Sequence, residues 1–175
     1  MNIRNRVKEL RHVPASDLRP NPKNWRTHPK AQQDALRGIL AEVGMADAVL
    51  ARELPDGSLM LIDGHLRAET AADAPVPVLV LDVNEAEADK LLATLDPLAA
   101  MAETDAVKLD ELLRTFNSSS EALQQLAAST ASEAGLYEAI EGPTAEEREA
   151  PEDFKEVDEN IETDHECPKC GYRWS

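Results

Sequence analysis

Leu59-Met60-Leu61-Ile62-Asp63-Gly64-His65-Leu66-Arg67-Ala68-Glu69-Thr70 holds the change of pattern on which the fold turns: an apolar run stops at Asp63-Gly64, and a helix-like segment begins with a His and an Arg. A buried strand that turns straight into a helix leaves backbone N–H groups free at the helix N-terminus, a ready seat for a phosphate or another anion. Arg67, one turn in, brings a planar fork of donors to the same place. A Gly-x-x-Arg by itself is a weak signal, because many strand-to-helix turns carry both residues for geometry and solubility alone. Its weight depends on the flanking sequence.

Immediately upstream, residues 48–54 read as a strand, Pro55-Asp56-Gly57-Ser58 as a hairpin turn and residues 59–62 as the partner strand. Before that, Leu36, Ile39, Leu40 and Val43 recur at helical spacing from Lys30 onward. Pro29 fits the first turn of this helix, Thr27 or His28 can cap it, and Gly44 stops it. Residues 15–29 carry three prolines after Leu18 and read as an extended, rigid loop without regular structure. A first strand over residues 6–13 ends at Pro14. Downstream, a helix spans about residues 66–72, and residues 75–81 form a short strand whose two prolines place it at a sheet edge. Asn84 caps a helix that runs to Leu95 and is interrupted at Asp96-Pro97. Val107, Leu109, Leu112, Leu113 and Phe116 mark a further amphipathic helix, and residues 121–131 one more.

With 42% hydrophobic but only 3% aromatic residues in 175, the core must be modest and aliphatic. The formal charge of -16 is unevenly spread: residues 1–67 hold 11 Lys/Arg against 8 Asp/Glu, and residues 68–175 hold 7 against 26. A nucleic acid can meet the first part without repulsion, whereas the second repels phosphate. No run of eighteen apolar residues is present and no apolar segment follows the N-terminal charges, so the expectation is a cytoplasmic protein with no membrane contact.

The two cysteines, Cys167 and Cys170, stand in Cys-Pro-Lys-Cys-Gly near the end of the chain, too close together to staple a fold. Two thiolates on a tight turn make half a zinc knuckle, with His165 as a third ligand and a fourth to come from elsewhere or from a second subunit. Reduced thiols on an unstructured tail are the plain alternative. The acidic stretch before them, 132–164, has too few large apolar residues to repay its ordering and reads as a linker.

Taken in order, strand, proline-rich loop, helix, hairpin, Asp-Gly-His-x-Arg helix, strand and helix resemble the ParB/sulfiredoxin superfamily, in particular the ParB-like nuclease domain. The residues that carry the resemblance are Leu18-Arg19-Pro20-Asn21-Pro22 with Arg26 behind it, the helix from Leu36 to Val43 closed by Gly44, the strand at Val49-Leu50, and Leu61-Ile62-Asp63-Gly64-His65-Leu66-Arg67-Ala68. The resemblance implies a small α+β fold with a mixed sheet and flanking helices, in which the Gly-x-x-Arg turn binds nucleotide phosphates. It divides the chain into a ParB/sulfiredoxin-like domain (1–97), a helical extension (98–131), an acidic linker (132–164) and a Cys-containing tail (165–175). Sulfiredoxin chemistry is excluded, because it needs a cysteine in this motif and none occurs in the domain. His65 and Leu66 replace the Glu and first Arg of the ParB motif. The segment after Leu95 is acidic where ParB continues into a basic helix-turn-helix, so partition-type DNA loading is not expected. The variant resembles ParB-like domains of phages and of DNA-methyltransferase neighbourhoods.

On that reading Gly64 and Arg67 hold a phosphate, and Asn24, Arg26, Thr27 and His28 close over a nucleotide, CTP or ATP/ADP. Asp63, as a Mg²⁺ ligand, and His65, as donor or base, are the candidate catalytic residues. The plain alternative is that Asp63 and His65 only cap the helix and Arg67 pairs with an acid. Three functions stay open: a phosphate-binding protein in phage or mobile-element DNA metabolism or modification; a nucleotide hydrolase, kinase or metal-dependent nuclease; and a non-catalytic adaptor for a DNA-modifying enzyme. A nucleotide, DNA through the N-terminal region, a DNA methyltransferase or other phage protein, and a second copy of the chain are the partners implied.

Overall fold

In the computed structural model, which describes residues 2–136, 165–166, 168–170 and 173–174, the chain divides into two compact units, Met1–Glu138 and Ala139–Ser175. The first holds a five-stranded mixed sheet built from β1 (Val7–Pro14), β2 (Leu18–Arg19), β3 (Val49–Glu53), β4 (Leu59–Asp63) and β5 (Pro75–Leu81). Their order is β1-β5-β3-β4-β2. The β3–β4 hairpin forms as expected, with Glu53 opposite Leu59. β1 runs antiparallel to β5, while β3 with β5 and β2 with β4 are parallel. The α+β class expected from the sequence is the class observed.

Alternation along the strands defines the core. Val76, Val78 and Val80 of β5, Val49 and Ala51 of β3, and Leu59 and Leu61 of β4 face inward and pack with Ala15, Leu18 and Ala68. Each large aliphatic side chain fully buried there contributes about 1.5–3 kcal/mol. No aromatic residue takes part in this cluster. Ile62, out of phase with Leu61, is buried on the opposite face.

Several expectations need correction. Residues 15–29 are not without regular structure: Ala15–Asp17 form a 3-10 turn, and Leu18 and Arg19 pair with Leu59 and Met60. β5 lies between β1 and β3 rather than at an edge, but its pairing with β3 begins only at Val78. Pro75 and Pro77 therefore sit where β1 is the only neighbouring strand, and their missing donors cost the ladder little. Helix α1 (Lys30–Glu42) is capped by Pro29 itself, not by the side chain of Thr27 or His28. Gly44 follows it at φ +93°, the left-handed stop that the sequence suggested.

Helix α2 (His65–Ala71) is followed, after β5, by α3 (Glu85–Ala100). Asn84 and Glu87 form a complete capping box at the start of α3. The Arg6 guanidinium binds the same Glu87 carboxylate and, with the Asn84 backbone N–H, holds its pKa down at about 2. The expected interruption at Asp96-Pro97 is absent: α3 continues through Pro97, which lies near enough to the C-terminus to remove only a last-turn hydrogen bond.

Two further helices, α4 (Ala106–Thr115) and α5 (Glu121–Glu133), complete the first unit. α5 docks on α1 at close range. Gly38 lies so near Ser120 that a Cβ on it would be 2.4 Å from Ser120 Oγ. One Glu42 oxygen accepts from Ser118 Oγ, Ser119 N, Ser119 Oγ and Ser120 N at 2.8–3.1 Å. α4 buries no residue fully.

In the second unit β6 (His165–Glu166) pairs antiparallel with β7 (Arg173–Trp174) around a turn at residues 168–170. Cys170 is exposed, whereas Cys167 and the linker residues 137–164 lie outside the described residues. Among the described residues no group of three or more His, Cys, Asp or Glu is placed to hold a metal, and no helix is long and apolar enough to cross a membrane.

Candidate functional site

The candidate site begins where β4 ends. Gly64 adopts φ +87°, and a Cβ on it would lie 2.6 Å from Val49 Cγ1 and 3.2 Å from Arg67 Nη2. Backbone conformation and space both demand glycine. The first helical hydrogen bond of α2 runs from Ala68 N–H to the Gly64 carbonyl at 2.9 Å, and no side chain caps the helix. The plain alternative of Asp63 and His65 as caps therefore does not hold. The N–H groups of His65, Leu66 and Arg67 precede any intrahelical acceptor.

Asp63 and Arg67, four residues apart, form an ion pair with Nη2 to Oδ2 at 2.9 Å. Arg67 Nη1 lies 2.9 Å from Asp47 Oδ2, on the loop that follows α1. The third donor, Arg67 Nε, is buried and has no partner among the described residues. An orphaned charged donor of this kind is costly unless a ligand answers it.

His65 is half-buried, and its Nε2 accepts from the Asn21 backbone N–H at 3.2 Å. A neutral imidazole whose Nε2 accepts must carry its proton on Nδ1. Burial pushes its pKa below the ordinary 6.5, against an upward pull from Asp63, and His28 adds to the downward push. Because the folded state holds the neutral form, this stability is present above the unfolded pKa of about 6.5 and is lost as pH falls from there toward the folded pKa. Wild-type protein is expected to lose melting temperature between pH 7 and pH 5 more steeply than His65→Gln, as a melting series in matched buffers would read. Equal slopes would remove the assignment. Paired carboxylates such as Glu87, held at about 2, do not titrate in that window.

Asn21 was not singled out from the sequence as a site residue, yet it ties the site together. It is 7% exposed. Its Nδ2 donates to the Leu61 carbonyl at 3.2 Å, its Oδ1 accepts from Lys23 N–H at 2.9 Å, and its carbonyl accepts from Asn24 N–H at 2.9 Å. Beyond it the loop is fastened along one face of α3. Lys23 Nζ pairs with Glu85 and Asp89, Trp25 Nε1 donates to the Leu92 carbonyl, and Arg26 Nε donates to Asp96 Oδ2 at 2.9 Å. The Arg26 guanidinium lies 4.3 Å from the Trp25 ring centre. Residues 85, 89, 92 and 96 follow the helical repeat, so the loop rides a single stripe of α3. Asn24 Oδ1 accepts from Arg26 N–H, and His28 Nδ1 lies 3.1 Å from Gln32 Oε1.

Loop and turn face one cleft of about 1340 Å³, which brings Asn24, Arg26, Thr27, His28, Asp63, Gly64, His65 and Arg67 together. These are the eight residues that the sequence proposed for catalysis and phosphate binding. The rest of the lining is mostly apolar, from α1, α3, α4 and α5 and their ends, and includes Leu36, Leu91, Leu95, Leu113, Phe116 and Leu126. The volume exceeds the 300–1,000 Å³ usual for a small-molecule pocket. Asp96 and Asp47 were not foreseen. No local pattern marks either one, since each meets its arginine across a long sequence separation or from an aperiodic loop.

No protein-family model matches the chain, and no curated protein sequence does. Solved structures are similar to it. The C-terminally truncated chromosome-partitioning protein ParB from Caulobacter crescentus, complexed with CTP-γ-S, aligns with a TM-score of 0.52 at 21% identity over 68% of this chain and 71% of that one. The same protein complexed to the centromeric parS site gives 0.41 at 20% identity, over 71% and 70%. Sulfiredoxin from Arabidopsis thaliana gives 0.41 at 14% identity, covering 48% of this chain and 97% of the other. The first of these similarities identifies the fold as ParB-like, in agreement with the resemblance carried by the sequence motifs.

Proposed function

We propose that this ParB-like chain binds a nucleotide, with the phosphates at the 63–67 turn and the loop 21–28 over them. The observation that carries the reading is the cleft itself, which gathers the Gly64 turn, Arg26 and Arg67 around one opening. A protein of the same fold was crystallised with CTP-γ-S, which makes CTP the first nucleotide to test. Mg²⁺ would be held through Asp63, whose carboxylate already lines the cleft.

Binding is favoured over hydrolysis or nuclease chemistry, because the Nε2 lone pair that His65 would use as a base is taken by Asn21 N–H. A phage or DNA-modification setting and partner proteins belong to the same proposal and rest on the sequence resemblance; DNA contact rests on the charge balance of residues 1–67, and self-association on the incomplete ligand set of the tail. Zn²⁺ at His165, Cys167 and Cys170 belongs to it as well, and rests on their spacing and on the β6–β7 hairpin that flanks the two cysteines.

Calorimetric titration with CTP, ATP and ADP, each with Mg²⁺, tests the reading. Wild type is expected to bind at least one of them, and Arg67→Ala to bind it about tenfold or more weakly. Failure of the wild type to bind any of the three overturns it. Phosphate release that survives in Arg67→Ala would point to another site.

A further inference from the structure

Both arginines that line the cleft already hold carboxylates. Arg67 spans Asp47 and Asp63 at 2.9 Å each, and Arg26 holds Asp96 at 2.9 Å while lying over Trp25. The cleft lining carries Arg26 and Arg67 against Asp63 and Asp96, so the pairs cancel and the lining offers a phosphate no surplus of positive charge.

The three carboxylates are not equivalent. Asp63 sits one turn before Arg67 on the same strand-to-helix connection, so the backbone itself sets their pairing. Asp47 and Asp96 come from other segments, and their side chains are 68% and 46% exposed. Ion pairs this exposed are weak and give way readily to a better partner.

We propose that Asp47 and Asp96 are built-in competitors for the ligand: a phosphate takes Arg67 from Asp47 and Arg26 from Asp96, while Asp63 stays and keeps Arg67 aimed into the cleft. The exchange deepens the nucleotide reading and rests on it. It also selects by charge. A singly charged anion gains nothing by replacing a carboxylate of equal charge, whereas a diphosphate or triphosphate brings more charge than it displaces. The class of ligand is therefore a polyphosphate, not a monoanionic ester or a carboxylic acid. Asp47 and Asp96 set its affinity without touching it.

Titration of inorganic pyrophosphate and of CTP at fixed ionic strength tests the exchange, using wild type, Arg67→Ala, Asp47→Asn, Asp96→Asn, the double Asp variant and Glu69→Gln. The last removes one charge from α2 at a carboxylate that belongs to neither arginine pair and so measures the bulk effect. The double Asp variant is expected to bind about three- to thirtyfold more tightly than wild type, with Glu69→Gln within about twofold. In wild type the Nε–H resonances of Arg26 and Arg67 shift on titration with pyrophosphate. Asp variants that gain no more than Glu69→Gln, or arginine resonances that stay in place while CTP binds, overturn the exchange and leave the nucleotide reading standing. No binding of either probe by any variant overturns both.

Discussion

Gly64→Ala is expected to lower the unfolding free energy by about 2–5 kcal/mol. A left-handed residue with a Cβ costs about 1–2 kcal/mol at φ +87°. The added carbon also meets Val49 Cγ1 at 2.6 Å, and Val49 is fully buried, so the overlap forces a backbone or core shift of about 1–3 kcal/mol. A domain whose total stability is about 5–15 kcal/mol keeps little reserve after that loss. The readout is the midpoint of urea unfolding at an unchanged slope. A double variant with Val49→Ala removes the Cγ1 contact but keeps the Val49 Cβ at 2.9 Å, so it is expected to recover part of the loss and to be less destabilised than the sum of its parts, while strict additivity would mean that the Cγ1 overlap is absorbed without cost.

Asn21→Ala is the second large effect. It preserves the backbone N–H that Asn21 gives to His65 but strips the Leu61 carbonyl and the Lys23 N–H of their partners. Leaving two such groups unanswered in and beside the core costs about 2–4 kcal/mol, far more than a surface substitution. Because the lost contacts root the loop, hydrogen exchange at Lys23 and Asn24 rises well before the sheet opens, and nucleotide affinity falls with it. Asn21→Asp is worse than Asn21→Ala for stability, since a carboxylate oxygen replaces the donor that faced the Leu61 carbonyl. If Asn21→Ala matched wild type in both stability and exchange, the loop would not depend on this residue.

The features that were legible in the sequence are local ones. The turn at residues 55–58, the left-handed Gly44 and the Asn84 cap each follow from a few neighbouring residues, whereas the partners of Arg67, Asp63 and Asp47, were not named by the sequence. Ordered motifs put the candidate residues at 24–28 and 63–67 forward together, and the same residues line one cleft. What stayed hidden depends on distance. Pro75 and Pro77 mark an edge only if the strand has one neighbour throughout, and where the pairing with β3 begins is not written in β5 itself. Asn21 stands between two prolines, a signal of a fixed backbone, but its bonds to Leu61 and His65 span about forty residues. Pro97 reads as a stop only if its position within the helix is unknown.

Helix α3 fastens the loop at Glu85, Asp89, Leu92 and Asp96, and its Leu91 and Leu95 line the apolar end of the cleft. The loop is thus riveted along one side of the helix. The rivets are of two kinds: the charged ones loosen with ionic strength, whereas the Trp25 bond to a backbone carbonyl does not. Salt therefore changes the stiffness of the joint without detaching it.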